Sequence, residues 1–375
     1  MKKILSSLII LLLAAAGDAL GCTTAVISAR ASATGRPMLF KQRDSSVKFN
    51  YVDFFPATDS TFAFTGVVNT RDEERESVWS GANTEGFAIM NAMSYGLSPL
   101  VTDNRPWEGI IMKRALEICR TVDDFEEYIK SLPQPNGLES NFGVIDAAGG
   151  AAYFEVHDFG YARFNVEDSV RGYLVRSNYS MTGREGEGHG YDRFVIATSK
   201  MVSHEGGFTP EWLIDAIGRD PAIARKTTVS CTVIEGVTAG DPLNSSVIWC
   251  APGYTPAAYA IPAWVAAGDA IASPLKSGEG CGSELNEMSW ILLQRHFLPN
   301  IKEDLDGSVR CHYDKGRCRK VMSMVSAAES AGFARARALD SRAREGSASP
   351  EDFAAFNKET ALAWEDFARS MEEFL

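Results

Sequence analysis

Gly21-Cys22-Thr23-Thr24 runs on into Ala25-Val26-Ile27-Ser28-Ala29, near the start of the chain. It follows an apolar leader and opens a run of β-formers, so Cys22 is expected to begin a strand. Thr34-Gly35-Arg36-Pro37 carries turn residues, and Met38 to Arg43 returns as a second strand that folds Asp44 back toward Cys22. Residues 1 to 21 have the layout of a secretory signal: Lys2 and Lys3, the apolar run Ile4 to Ala16, then small residues up to Gly21. That run is shorter than the roughly 20 apolar residues a bilayer core requires, so removal and export are expected rather than an anchor.

Of the 375 residues, 45% are hydrophobic, ample for a large core in one domain or two. Losing Lys2, Lys3 and Asp18 with the leader takes the formal charge from −12 to −13. A surface that acidic argues against nucleic acid or anionic lipid as partner. Setting Cys22 aside leaves Cys119, Cys231, Cys250, Cys281, Cys311 and Cys318, an even number in a chain bound for an oxidising compartment. Cys311 and Cys318 bracket the short polar loop His312 to Arg317 and are the expected bridge; the alternative is that several cysteines are small buried hydrophobes.

Further strands are expected at Phe49 to Phe55, Thr61 to Val68, Ser77 to Gly81 and Gly86 to Ala92. Trp107 to Arg120 has helical spacing, and Thr121 with Asp124 resembles a capping box for a short helix ended by Pro133 and Pro135. Phe142 to Asp146 and Ala151 to Val156 flank Gly149-Gly150 as a hairpin, and strands continue at Tyr161 to Val166 and Gly172 to Ser177. Tyr191 to Met201 and Pro210 to Ile217 read as helices, Val229 to Gly236 and Ser245 to Cys250 as strands. The proline-rich run after Cys250 reads as irregular cover. Helices are expected over Ser283 to Leu298, Arg319 to Arg344 and from Ser349 to the end. There Phe353, Phe356, Thr360, Trp364, Phe367, Met371 and Phe374 form one packing face.

The chain has no GxSxG, GxxxxGK[ST], HExxH or paired CxxC motif, and its five histidines make no metal spacing. No cofactor and no metal are expected. A cysteine that becomes the first residue needs no histidine, because its own α-amine, with a reference pKa of about 8, can take the thiol proton and later pass it to a leaving amine. Such a site also needs an acid to hold the amine, donors for an oxyanion and a cation. In order the chain offers Lys41-Gln42-Arg43-Asp44, Asn91 after Gly86, Asn178 at a strand end, and Arg193 in Tyr191-Asp192-Arg193-Phe194.

In order and surroundings these segments resemble the choloylglycine hydrolase and isopenicillin N acyltransferase superfamily of N-terminal-nucleophile enzymes, which cleave linear amide C–N bonds. Cys22-Thr23 is similar to the family's opening, and Lys41-Gln42-Arg43-Asp44 to its Arg-Asn-x-Asp. Asn83-Thr84-Glu85-Gly86-Phe87 leading to Asn91 resembles Asn-Glu-x-Gly-Leu, and Ser177-Asn178-Tyr179 and Arg193-Phe194-Val195 complete the likeness over roughly residues 22 to 200. The resemblance implies Cys22 as nucleophile and base, Asp44 holding its amine, Asn91 and Asn178 as oxyanion and amine-positioning residues, and Arg193 as the distal arginine. Lys41 stands where Arg is usual, which keeps the charge and loses the planar fork. Arg43 is a substitute, although its side chain is expected on the opposite strand face from Asp44.

The implied fold is α+β, a four-layer αββα sandwich of two antiparallel sheets with a helical C-terminal extension. The expected division is a removed signal peptide at 1–21, a catalytic domain at 22–280, and a helical region at 281–375 packed on the same body. The expected activity is hydrolysis of a small-molecule carboxamide by an exported, periplasmic or extracellular enzyme, through an acyl-thioester on Cys22. An acyltransferase using the same thioester is the alternative. A second is a lipoprotein, since Ala19-Leu20-Gly21-Cys22 is close to a lipobox; only lipidation of Cys22 would then bring a membrane into play.

Overall fold

The computed structural model describes residues 21–98, 107–278, 282–303, 309–311 and 316–375. Residues 1–20 of the leader and the side chain of Cys311, and with it the expected Cys311–Cys318 pairing, lie outside what is described. In the first half the elements are β1 Cys22–Ile27, β2 Met38–Asp44, β3 Asn50–Phe55, β4 Phe64–Asn69, β5 Ser80–Asn83, β6 Ala88–Met93, α1 Trp107–Ile118, α2 Val122–Ser131, β7 Glu139–Ile145, β8 Ala151–His157, β9 Gly160–Asn165 and β10 Tyr173–Arg176. Then come α3 Tyr191–Ser203, the short α4 Pro210–Trp212 continuing as a π-helical turn Leu213–Gly218, β11 Thr228–Glu235, β12 Val247–Pro252 and β13 Ile261–Trp264. The remainder holds α5 Glu284–Leu292, the small hairpin β14 Ile301–Glu303 and β15 Val309–Cys311, α6 Arg317–Arg344 and α7 Pro350–Ser370.

Two antiparallel sheets form the body, one in the order β10-β1-β2-β11-β12-β13 and one running β3 to β9 in sequence. Alternation along each strand sorts the apolar side chains into three clusters. Val26, Leu39, Ile234 and Ile248 of the first sheet meet Val52, Val67, Met90 and Tyr153 of the second. The first sheet's other face, with Ala25, Phe40, Val233 and Trp249, is covered by Ala197 of α3, Ile214, Phe333 of α6 and Phe353 of α7. The second sheet's other face, with Ile89, Phe142 and Phe154, is covered by Met112 of α1 and Phe125 of α2. The result is the expected αββα sandwich, with a helical extension at its end.

Local chemistry accounts for the element boundaries. Thr121 and Asp124 form the expected capping box; Ser349 caps α7 just before Pro350 and forms a second such box with Asp352. The expected α7 face is buried throughout, from Phe353 to Phe374. The run after Cys250 is a correction: β12 continues to Pro252, and Ile261–Trp264 forms β13. Pro262 is tolerated because β13 is the edge strand, where a missing N–H leaves no ladder bond unmade. The small β14–β15 hairpin lies between the expected helices Ser283 to Leu298 and Arg319 to Arg344, where no element was assigned. Cys119, Cys231 and Cys250 are buried thiols, and burial pushes the first and last up to about 12, in keeping with small hydrophobes.

Trp364 of α7 is 4% exposed, belongs to the cluster between the sheets and donates its indole N–H to Glu284 Oε2 at 2.9 Å. Trp364→Ala is expected to destabilise the whole body by about 3–5 kcal/mol. Urea unfolding should show one transition moved to lower denaturant; an unmoved main transition would mean α7 is not part of the core.

Candidate active site

Cys22 is 8% exposed and opens an interior strand. It shares the inward face of β1 with Thr24 and Val26, and on β2 the same alternation aligns Lys41 and Arg43 with Leu39. Register pairs Cys22 with Arg43. Cys22, Lys41, Arg43, Asp44 and Asn91 line one cavity of about 550 Å³, together with Asn69, Trp79, Met93 and Glu108.

The backbone around Cys22 is held from both sides. On the β2 side, the Asp44 N–H donates to Gly21 O at 3.0 Å, extending the ladder one residue before Cys22. Opposite Asp44 the β11 register shifts between Thr228 and Ser230, a bulge that re-aims the strand end, and Thr228 Oγ1 donates to Asp44 Oδ1 at 2.7 Å. On the β10 side, the Cys22 N–H donates to Asn178 Oδ1 at 2.8 Å. Arg193 Nη2 donates to the same oxygen at 2.6 Å, and the Asn178 amide donates onward to Met93 O at 2.7 Å. Arg193, buried in the first turn of α3, also reaches Cys22 O and Thr23 Oγ1.

From the second sheet, Asn91 Oδ1 accepts from Lys41 Nζ at 2.8 Å and its amide donates to Ser140 Oγ at 3.0 Å. Lys41 Nζ also donates to Trp79 O at 2.6 Å. Of the residues singled out in the sequence, Lys41, Asp44 and Asn91 thus share the cavity with Cys22, while Asn178 and Arg193 bind its backbone. While Cys22 is still joined to Gly21, its N–H goes to Asn178, and the Asp44 carboxylate is engaged by Thr228. Gly21 sits close against these side chains: a Cβ there would lie 2.5 Å from Arg193 Nη2 and 2.8 Å from Asn178 Oδ1, so one of them would have to shift.

Arg43, weighed only as a stand-in for Lys41, lines the cavity with Cys22, stacked 4.3 Å from the Trp79 ring. Trp79, Asn69, Glu108 and Thr228 were not read from the sequence. A tryptophan before a strand and a glutamate at a helix start carry no local mark of a shared cavity.

No family model matches the sequence, and no curated protein matches it. Among solved structures it is similar to an N-acylethanolamine-hydrolyzing acid amidase ortholog from Caenorhabditis elegans, at 14% identity over 57% of this chain and 92% of that one, TM-score 0.43. It is also similar to penicillin V acylase from Agrobacterium tumefaciens, at 14% identity over 64% and 86%, TM-score 0.42. A third is a variant of conjugated bile acid hydrolase from Clostridium perfringens, at 10% identity over 62% and 89%, TM-score 0.42. The chain's own layers and sheet order give an αββα sandwich of two antiparallel sheets.

Burial dominates the site's electrostatics. It lowers Lys41 to about 7, Arg43 to about 10 and Arg193 below its usual range, and raises Asp44 to about 6 and Glu108 to about 7. The charges of Arg193 and Arg43 pull Asp44 back down, and that of Lys41 does so for Glu108. Between the ordinary value of 4.5 and about 7, the folded chain holds a proton at Glu108 that the unfolded chain has released, so this group's contribution to stability falls as pH rises through that window. In the unprocessed chain carrying Cys22→Ala, thermal melts across this range should show the melting temperature declining, and Glu108→Gln should flatten the decline. Parallel curves for the two proteins would contradict a protonated, buried Glu108.

Proposed function

We propose that the chain is an exported amide hydrolase of the N-terminal-nucleophile type, of the choloylglycine hydrolase-like superfamily, active once residues 1–21 are removed. The observation that carries this reading is the setting of Cys22: its side chain lines the cavity, and its backbone nitrogen is bound by Asn178 Oδ1. Cleavage turns that nitrogen into an amine without moving it away from the thiol.

In the proposed cycle the Cys22 amine takes the thiol proton, and the sulfur attacks the carbonyl carbon of a small-molecule carboxamide. A C–S bond forms as the carbonyl π pair moves onto oxygen, and Asn91 is assigned to donate to that oxyanion. Asn178 and Arg193 orient the amine, and Asp44 supplies the negative charge that offsets it when protonated. Collapse breaks the C–N bond, and the departing amine carries off the proton held at Cys22. Water then attacks the thioester, releasing the carboxylic acid and restoring the thiol. An amine in place of water would give an acyltransferase. The catalytic unit is assigned to 22–280, with 281–375 as a helical region on the same body, and the working location to the periplasm or outside the cell. Among the described residues no helix is long and apolar enough to cross a membrane.

On a cleaved amide, Cys22→Ala is expected to abolish turnover, and Asn91→Ala or Asn178→Ala to cost about 10²–10³ in rate. If both asparagine variants stay within about threefold of wild type, the assignment fails. Intact mass of the mature protein should give an unmodified chain beginning at Cys22. A diacyl or triacyl addition would remove nucleophile and base together and favour the lipoprotein.

A further inference from the structure

The cavity beside Cys22 contains a buried cation that the cycle above does not use. Arg43 is 4% exposed, and its guanidinium makes one good hydrogen bond, Nη1 to Asn69 Oδ1 at 2.9 Å, and one long contact to Ser45 Oγ at 3.4 Å. A guanidinium has five N–H donors, so most of its capacity is unspent. Among the described residues it forms no ion pair, although Arg36, Arg176 and Arg219, equally buried, each pair with a carboxylate of Asp340, Glu155 or Glu329. The acids that share the cavity make their hydrogen bonds elsewhere. Asp44 accepts from Thr228 and acts on Arg43 only through its charge, as Cys22 does, Asp72 accepts from the N–H groups of Glu76 and Ser77, and Glu76 is exposed. Glu108 lies among the charges acting on Lys41. The guanidinium carbon lies over the Trp79 ring, 4.3 Å from its centroid.

We infer that Arg43 is the receptor for a carboxylate on the acyl part of the substrate, so that the amide cleaved is a mono-amide of a dicarboxylic acid or a similarly anionic acyl amide. The inference rests on the amide-hydrolase reading and adds its substrate class. The acyl part is chosen because the leaving amine must depart near the Cys22 nitrogen, which Asn178 holds from the β10 side, whereas Arg43 lies on β2, across β1. A buried, preorganised, unpaired guanidinium is costly until an anion arrives, and planar bidentate binding of a carboxylate suits it better than any neutral group.

The test compares glutaryl para-nitroanilide with its methyl ester on the mature chain starting at Cys22. The acid should be favoured by about 10- to 100-fold in kcat/KM. Arg43→Met should erase the preference, and Arg43→Lys should keep part of it. Separately, calorimetry on the chain starting at position 22 with Cys22→Ala should show saturable binding of glutaric acid mono-amide, and none of butyramide, lost with Arg43→Met. Equal cleavage of acid and ester without mono-amide binding overturns the carboxylate receptor and leaves the hydrolase standing. Arg43-dependent binding with no cleavage of either anilide upholds the receptor and sinks the hydrolase reading. Neither binding nor cleavage overturns both.

Discussion

The hydrogen bond from the Cys22 backbone N–H to Asn178 Oδ1 is the contact on which the site depends. A strand's first N–H, buried beneath a helix and a neighbouring strand, must find an acceptor. Here the acceptor comes from a residue 156 positions away, just past the end of β10. Asn178 is fixed in turn by Arg193 and by Met93 O, so first sheet, second sheet and α3 converge on a single amide side chain. The steric demand on Gly21 has the same origin, because the guanidinium and the amide oxygen fill the space a side chain would take.

A charged cleft is buried at one end of an otherwise apolar sandwich. The row Leu39, Lys41, Arg43 on β2 passes from the apolar region between the sheets into the cavity, so two cations stand in a place built for aliphatic side chains. Lys41 is compensated by carbonyl and amide oxygens rather than by a carboxylate, and burial brings its proton within reach of neutral pH. Holding these groups so far from their ordinary ionisation costs stability, since burial disfavours the charged form of each.

Much of this was legible along the chain. Cys22 at a strand start, Met38 to Arg43 as its return, and Asp44 folded back are local consequences of β-propensity and a turn, and each follows from a few adjacent residues. The α7 stripe and its cap were equally local. The edge strand β13 was missed because Pro262 argues against a strand unless it is known to lie at an edge, and edge position is a property of the whole sheet. Trp79, Asn69 and Glu108 were missed for a related reason, since only the stacking of the sheets and α1 brings them to the cavity.

The amino-acid order thus settled where most of the strands lie, which face of each is apolar, and which residue types are available to a terminal thiol. Those are matters of period and composition over short spans. It took the packed molecule to show that Lys41 and Arg43 both reach the cavity that Asp44 also lines, and that among the described residues Arg43 makes no ion pair there. Pairing of a buried charge depends on every element packed around it, and no single segment carries that information.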